Sequence, residues 1–517
     1  GQVGIAGHAV IGDEVRSGAQ AGIAGSIRKG NITVQGSPAI EAKNFARSSV
    51  VYKKLPEMYA DVNHLKKEIE EIVQNYHKIH KEINVENQKK IHDLLDRYGV
   101  KFGIYKNNEF NERIFPYDMN PRIIKKEEFD ELEKGLKQRV DALNKFLNDI
   151  YSEQKIIKDG IIPEEFVFSS EAFLKECIGV HPSKGVYSHI SGIDLIYGKD
   201  ENWYVLEDNL RVPSGASYPI IARNVSRTIC PEMFKDLGIE DNRDYPKLLR
   251  NVMDYVNTGG INVVLTPGRY NAAYYEHVFL AEATGAKLVF PNELEVIGDY
   301  LYYKNFKGED VKVGAVYRRI SDEFLDPFAF REDSVLGVMN IMSVYKKGNV
   351  AIMNSVGNGI ADDKGIYYFV PKMIEYYLNE KPILKNAPTY LPFYEDDMKY
   401  TLENIRKLVI KDVAEAGGYG VMFGHAMTKI QLSDLKTIIE ANPRRFIAQE
   451  LIEFYDEECY LNDEIVPRKA DFRAYVVMSD EPKVWKCGLT RYAMESGNYL
   501  VNSSQGGGFK DTWVMEA

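Results

Sequence analysis

The chain has 517 residues, 44% of them hydrophobic and 27% charged, and a formal net charge of −11. That composition suits a globular protein of about two to four domains; the negative balance argues against a general nucleic-acid binder, and no run approaches the roughly 18 apolar residues of a membrane span. The four cysteines, Cys177, Cys230, Cys459 and Cys487, are scattered, which favours reduced thiols in a cytoplasmic protein over disulfides or a zinc site.

The chain opens on Gly1 without a Met, which reads as trimming or a fragment. Val3, Ala9, Val15, Ala21 and Ile27 then recur every six residues with small residues between them, the hexapeptide pattern of a parallel β-helix. GQVGIAGHAVIGDEVRSGAQAGIAGSI, followed by GSPAIEAKNFARSSVVYKKLPEMYADVNHLKKEIEEI, resembles the C-terminal end of the UDP-3-O-acylglucosamine N-acyltransferases. The resemblance implies a short left-handed β-helix fragment over 1–36, a helical extension over 37–75 and a homotrimer as the assembly. That family's catalytic histidine belongs to an earlier coil absent here, and His8 reads as a rim residue. The composition changes abruptly near Glu71 to Tyr76, where a graft of separate origin would join.

From Tyr76 onward the pattern is α/β. Lys126 to Tyr151 has helical spacing, and Val186 to Tyr218 reads as a β-hairpin. With Lys199 to Asn202 as its turn, Gly198 faces Trp203 and Asp194 falls opposite Glu207. Alternation puts Asn209 on the face of Glu207. Two carboxylates and an amide oxygen make an all-oxygen site suited to Mg²⁺, while Trp203 to Leu206 reads as buried on both faces. Arg211 and Ser214 end the strand, where they can meet anionic groups.

A βαβ module follows: strand Ile261 to Leu265, a loop carrying Arg269, Tyr270 and Asn271, a helix holding Glu276 and His277, and a strand at Lys287 to Phe290. Strand Val313 to Tyr317 delivers Arg318 and Arg319 toward Asp322, Glu323 and Asp326, either as an anion clamp or as a salt-bridge network. In NSVGNGIADDK, Asp362 or Asp363 can cap a helix whose first turn holds Lys364. A lysine there gains nothing from the helix dipole, so a nucleotide phosphate explains it better. Lys411 ends an apolar strand, and Gly417, Gly418 and Gly420 follow as a flap whose N–H groups can approach phosphates. There is no P-loop and no strand-linked GxGxxG.

LEKGLKQRVDALNKFLNDIY, GVYSHISGIDL, WYVLEDNLRVPSGASY, VVLTPGRYNAAYYEHVFLA, YRRISDEFLDP, NSVGNGIADDK and VNSSQGGGFKDTWV together make residues 76–517 similar to the circularly permuted ATP-grasp family, which includes the glutathionylspermidine synthetase domain. The resemblance implies N-terminal helices and a metal-binding hairpin over 76–250, an inserted βαβ module like a pre-ATP-grasp domain over 251–350, and a nucleotide-binding subdomain with C-terminal strands over 351–517. It makes Asp194, Glu207 and Asn209 Mg²⁺ ligands, Lys364 and Lys411 the phosphate lysines, Gly417, Gly418 and Gly420 the flap, and Gln449, Glu450 and Glu453 part of the adenine and ribose cradle. The synthetase relative has an arginine two positions before its metal aspartate, where Gly192 stands here. Any transition-state arginine must therefore come from elsewhere, with Arg211, Arg318 and Arg491 as candidates. Asn502, Ser503, Ser504 and Gln505 are expected near the substrate.

The implied function is ATP-dependent ligation of a small-molecule carboxylate to an amine, using ATP and Mg²⁺, with no nucleic-acid or membrane partner. The alternatives are a non-catalytic nucleotide-binding scaffold and acyl transfer by the N-terminal segment.

Overall fold

The computed structural model describes residues 1–106, 109–413, 420–503 and 506–516, and the chain divides into two compact units, Gly1–Lys78 and Ile79–Ala517. In the first unit, short parallel pairings set Gly4 beside Gly22, Arg16 beside Thr33 and Ile11 beside Ile27, about three hexads apart. Of the hexad positions only Ala21 is fully buried, joined by Ile23 and Val34, while Ile5 and Val10 stay exposed. So few turns bury little apolar surface. A helix then runs unbroken over Ala42–Glu82, straight through the compositional join at Glu71 to Tyr76.

The second unit is built on three mixed or antiparallel sheets and a short hairpin. The largest sheet has eight strands. The acidic hairpin, Ile190–Tyr197 and Trp203–Asn209, lies toward one edge beside Lys385–Asn386, followed by the long central strand Glu464–Met478 and then by Pro482–Tyr492, Gly508–Val514 and Tyr117–Ile124. Helix Lys126–Ile150 covers one face: Phe129, Leu132, Leu136 and Val140 pack against Ile193, Leu195, Val205 and Phe472, as expected when one stripe of a helix seals a sheet.

A six-stranded sheet carries the βαβ unit. Ile261–Leu265 leads to helix Tyr274–Thr284 and to Lys287–Val289, with Val263 beside Lys287 in parallel register. Gly285 closes the helix in the left-handed conformation, φ 72°, which a Cβ disfavours. The third sheet is small and antiparallel, in the order Thr389–Tyr390, Phe446–Glu450, Leu408–Asp412, Val421–Phe423. Ile410, Phe446, Ala448, Leu432, Leu435 and Ile439 form its separate core. Among the described residues no helix is long and apolar enough to cross a membrane.

Candidate functional site

The acidic hairpin sets the first half of the site. Asp194 does lie opposite Glu207, but by a different route from the expected turn: Tyr197, not Gly198, pairs with Trp203, and a bulge at Leu206 restores the offset before Glu207. The bulge re-aims the strand, so the run Trp203 to Leu206 is not buried on both faces as its composition suggested. Only Val205 is buried, and Leu206 lines a cleft. Alternation places Glu207 and Asn209 on one face, their side chains 3.4 Å apart. Asp208 points the other way and is clamped by both Nε and Nη2 of buried Arg139, at 2.6 and 2.7 Å, which locks the strand's orientation.

Asp194 is the hub of a buried charge cluster. Arg473 lies across from it in the adjacent strand and donates to both carboxylate oxygens, at 2.6 and 2.8 Å. Arg491 adds a third bond at 2.8 Å and also pairs with Asp471. Burial pushes the Asp194 carboxyl up, but the two guanidinium charges outweigh it and hold it well below the ordinary range. Gly192 leaves room for this arrangement: a Cβ there would sit 3.3 Å from Arg473 Cδ and 2.9 Å from Pro213 Cβ.

The second half comes from the small sheet and the short helix Lys364–Tyr367. Asp363 caps that helix, accepting from Gly365 N at 2.7 Å, and is itself held by Ser170 and Arg444. Lys364 is thereby fixed in the first turn, nine-tenths buried. Lys411 sits mid-strand between Val421 and Ile447. Burial pushes its ammonium down to about 8, opposed by the charges of Glu207 and Asp194 and reinforced by that of Lys364. Four charges from three chain-distant segments, Asp194 and Glu207, Lys364, and Lys411, therefore line one cleft. Gly420 returns the chain to Asp412 at φ 68°; Gly417 and Gly418 lie outside the described residues.

Two cavities meet at these charges. An apolar cleft of about 750 Å³ between the large and small sheets is walled by Ile196, Leu206, Val409, Val421, Phe423 and Ile452. A wider, polar chamber of about 2230 Å³ is edged by Asn209, Arg211, Glu323, Asp362, Arg444 and Arg445. Glu207 and Lys364 line both.

The remaining sequence candidates divide. Gln449 and Glu450 line the apolar cleft, Gln449 donating to Thr389 and Glu450 accepting from Tyr390 and Tyr400. Glu453 does not: its side chain is 70% exposed and pairs with Lys199 at 3.5 Å, facing away from the cleft that its neighbours Ile452 and Phe454 both line. Arg211 edges the chamber and binds Asp362 at 3.1 Å, with its stem against Gly359. Arg491 lines the cleft. Arg318 lines neither cavity. It is fully buried and spends its guanidinium on Asp322, Asn358 and the carbonyls of Asn354, Ile320 and Ser355, so the salt-bridge reading of that motif holds.

Arg319 and Glu276 likewise brace the loop after the hairpin, Glu276 accepting from Gly215 N, Ser217 N and Ser217 Oγ. His277 bonds Thr266 at 2.8 Å, and burial pushes its pKa down. Asn502 lines the cleft, and Ser503 is buried; Ser504 and Gln505 lie outside the described residues. Arg473, Arg139, Phe423 and Tyr499 were missed: Arg473 arrives by distant strand pairing, Arg139 from a covering helix, Phe423 from a short strand of the small sheet and Tyr499 from a loop after Pro482–Tyr492, and no local motif marks any of them.

A cation would find limited protein ligation at the junction. Among the described residues no group of three or more His, Cys, Asp and Glu side chains is set to hold a metal ion. Glu207 and Asn209 face the chamber, and Asp194 gives its oxygens to arginines. That donor set fits an ion such as Mg²⁺, which keeps waters and takes further ligands from phosphates, rather than an all-protein cage.

Fold and site together describe a cleft between the large and the small sheet with buried charges at one junction. The description circularly permuted ATP-grasp type 2 matches residues 121–493, and the chain belongs to that family. An uncharacterised protein of Synechocystis sp. is 46% identical over 427 residues, 82% of this chain and 89% of its own. One from Mycobacterium tuberculosis is 42% identical over 429 residues, 82% and 78%. A Frankia casuarinae protein with the provisional name glutamate–cysteine ligase 2-2 is 37% identical over 407 residues, 78% of this chain but 47% of that one, so this chain spans about half its length. Among solved structures, a glutathione synthetase-like effector from Globodera pallida, in its apo form, superposes with a TM-score of 0.55 at 12% identity, over 83% of this chain and 97% of that one. At that identity the likeness concerns fold alone.

Proposed function

We propose that the protein is an ATP-dependent carboxylate–amine ligase acting on a peptide-like or amino-acid-like small molecule. The observation that carries this reading is the junction: Glu207 and Lys364 border both the apolar cleft and the polar chamber. A nucleotide whose base fills the cleft would put its phosphates where Glu207, Lys364 and Lys411 converge, with the γ-phosphoryl group facing the chamber. Family membership and the ligase name of the Frankia relative support the same reading.

In this reaction a carboxylate oxygen attacks the γ-phosphorus and the bond to the ADP oxygen breaks. An amine then attacks the acyl carbon, phosphate leaves with the bonding pair, and the amine's proton passes to solvent or to a nearby carboxylate. Such transfer asks mainly for in-line placement and charge neutralisation. Lys364 and Lys411 would hold the phosphates; Arg211, tied by Asp362 and stacked along Gly359, would orient the carboxylate. Arg491 and Arg473 would present positive charge at the phosphate end while Asp194 keeps them from repelling one another. Glu207 and Asn209 would hold Mg²⁺, which supplies charge neutralisation on the phosphates.

Screening Mg²⁺-dependent ADP and phosphate release against pools of amino acids, polyamines and short peptides tests the reaction. Release that needs both a carboxylate and an amine is the expected result. Failure of the chain to bind ATP or ADP at all would remove the reading.

A further inference from the structure

Tyr499 stands on a loop that the sequence marks only by the glycines after it. The loop leaves the strand Pro482–Tyr492, and Tyr499, Leu500, Val501 and Asn502 reach the wall of the apolar cleft. The Tyr499 ring lies 6.1 Å from Phe423, at an interplanar angle of 36°, and 5.2 Å from Phe454, edge-on at 86°. Lys469 holds its ammonium 5.6 Å from the same ring. Phe423 belongs to the small sheet, Phe454 to the segment leaving it, and Lys469 to the long strand of the large sheet. One side chain thus joins both lobes and the C-terminal loop at the mouth of the cleft.

The base of the loop is built to keep it there. Gly507 N donates to Asn502 O and Gly506 N to Ser503 O, both at 3.2 Å. A Cβ at Gly507 would overlap the Val501 carbonyl, and one at Gly508 would overlap the Tyr492 ring. The glycine run is therefore a clasp whose backbone closes on Val501 and Asn502, and only residues without a Cβ allow that approach. Asn498 fixes the tip by accepting from Leu500 N at 2.9 Å.

We propose that Tyr499 is the aromatic wall against which the purine base of the nucleotide packs, and that Gly507 holds it in position. The proposal rests on the nucleotide reading above. An otherwise aliphatic slot, Ile196, Leu206, Val409, Val421 and Ile452, gains from Tyr499 and Phe423 the flat polarisable surfaces that bases stack on. The ring would act on the base and not on the phosphates, which fall to Lys364 and Lys411 in the same cleft.

Calorimetry of the full chain with Mg²⁺ compares ADP against inorganic tripolyphosphate for the unmodified protein, Tyr499→Ala, Tyr499→Phe and Gly507→Ala. Removing a stacking partner should weaken ADP about tenfold in Tyr499→Ala while leaving tripolyphosphate binding unchanged. Tyr499→Phe should bind ADP as the unmodified chain does, and Gly507→Ala should copy the Tyr499→Ala loss. Equal ADP binding by Tyr499→Ala, or an equal loss toward ADP and tripolyphosphate, would overturn the proposal with the ligase reading intact. An unmodified chain that binds no nucleotide would instead remove the ligase reading itself.

Discussion

Lys411 carries its charge in a buried position, where desolvation favours the neutral amine and Glu207 and Asp194 across the junction oppose it. A phosphate there would meet both lysines at once. Lys364→Ala and Lys411→Ala should each weaken ATP roughly ten- to a hundredfold, the size of a lost charge-assisted contact. Calorimetry showing unchanged affinity in both variants would defeat the assignment. Glu207→Ala should abolish Mg²⁺-dependent turnover with the circular dichroism spectrum retained; turnover at the unmodified rate would take Glu207 out of the mechanism. His189 offers a pH test away from the nucleotide. It is 1% exposed with Nδ1 unpartnered, and burial, aided by Arg318, pushes its pKa down to about 3. The unfolded chain binds this proton near pH 6.5 and the folded one does not, so stability is lost as pH falls from about 6.5 toward 3, by about 1.4 kcal/mol per unit at most. Urea midpoints measured at pH 7 and pH 5 should show the loss, and His189→Asn should flatten it.

At the level of elements, what could be read from the chain was whatever local pattern determines. The Asp363 cap before Lys364 and the βαβ unit depend on residues close in sequence and appear as expected; the Asp194–Glu207 pair appears too, but through a bulge that the alternation did not encode. Arg473 and Tyr499 could not be read this way. Arg473 meets Asp194 through strand pairing across 279 positions, and no local periodicity encodes which strands become neighbours. Arg318 misled for the converse reason: an arginine at a strand's end looks alike whether it faces a cavity or a set of carbonyls. The helix Ala42–Glu82 holds a pattern the hexads had overshadowed. Val51, Leu55, Met58, Val62, Leu65, Ile69, Ile72 and Tyr76 alternate at four- and three-residue steps and are all exposed, 44–60%. A 3.5-residue period is the seam of a left-handed coiled coil. In parallel register Asp61 of one chain would face Lys66 of a further copy, so self-association through this seam is the expected outcome to measure. Light scattering should give a multiple of the single-chain mass, falling to one chain in Leu65→Asp/Ile69→Asp. A single-chain mass for the unmodified protein would end this reading.

The whole molecule divides between Lys78 and Ile79, and the position of that boundary decides how truncation behaves. Ile79 is 4% exposed and packs in the core that holds Ile91, Leu95 and Phe115, whereas Ile72, Val73 and Tyr76 are exposed. The cleft, the chamber and every residue assigned to nucleotide or substrate lie beyond the boundary. Deleting residues 1–75 should therefore retain ATP-dependent turnover and change at most the oligomeric mass. Deleting as far as Ile83 should cost stability as well, because losing a buried isoleucine leaves a cavity worth roughly 2–5 kcal/mol. Thermal unfolding and phosphate release measured side by side on the two truncations separate the effects. If the shorter deletion loses turnover while its melting temperature is unchanged, the N-terminal unit takes part in the reaction, and the independence of the second unit would have to be given up.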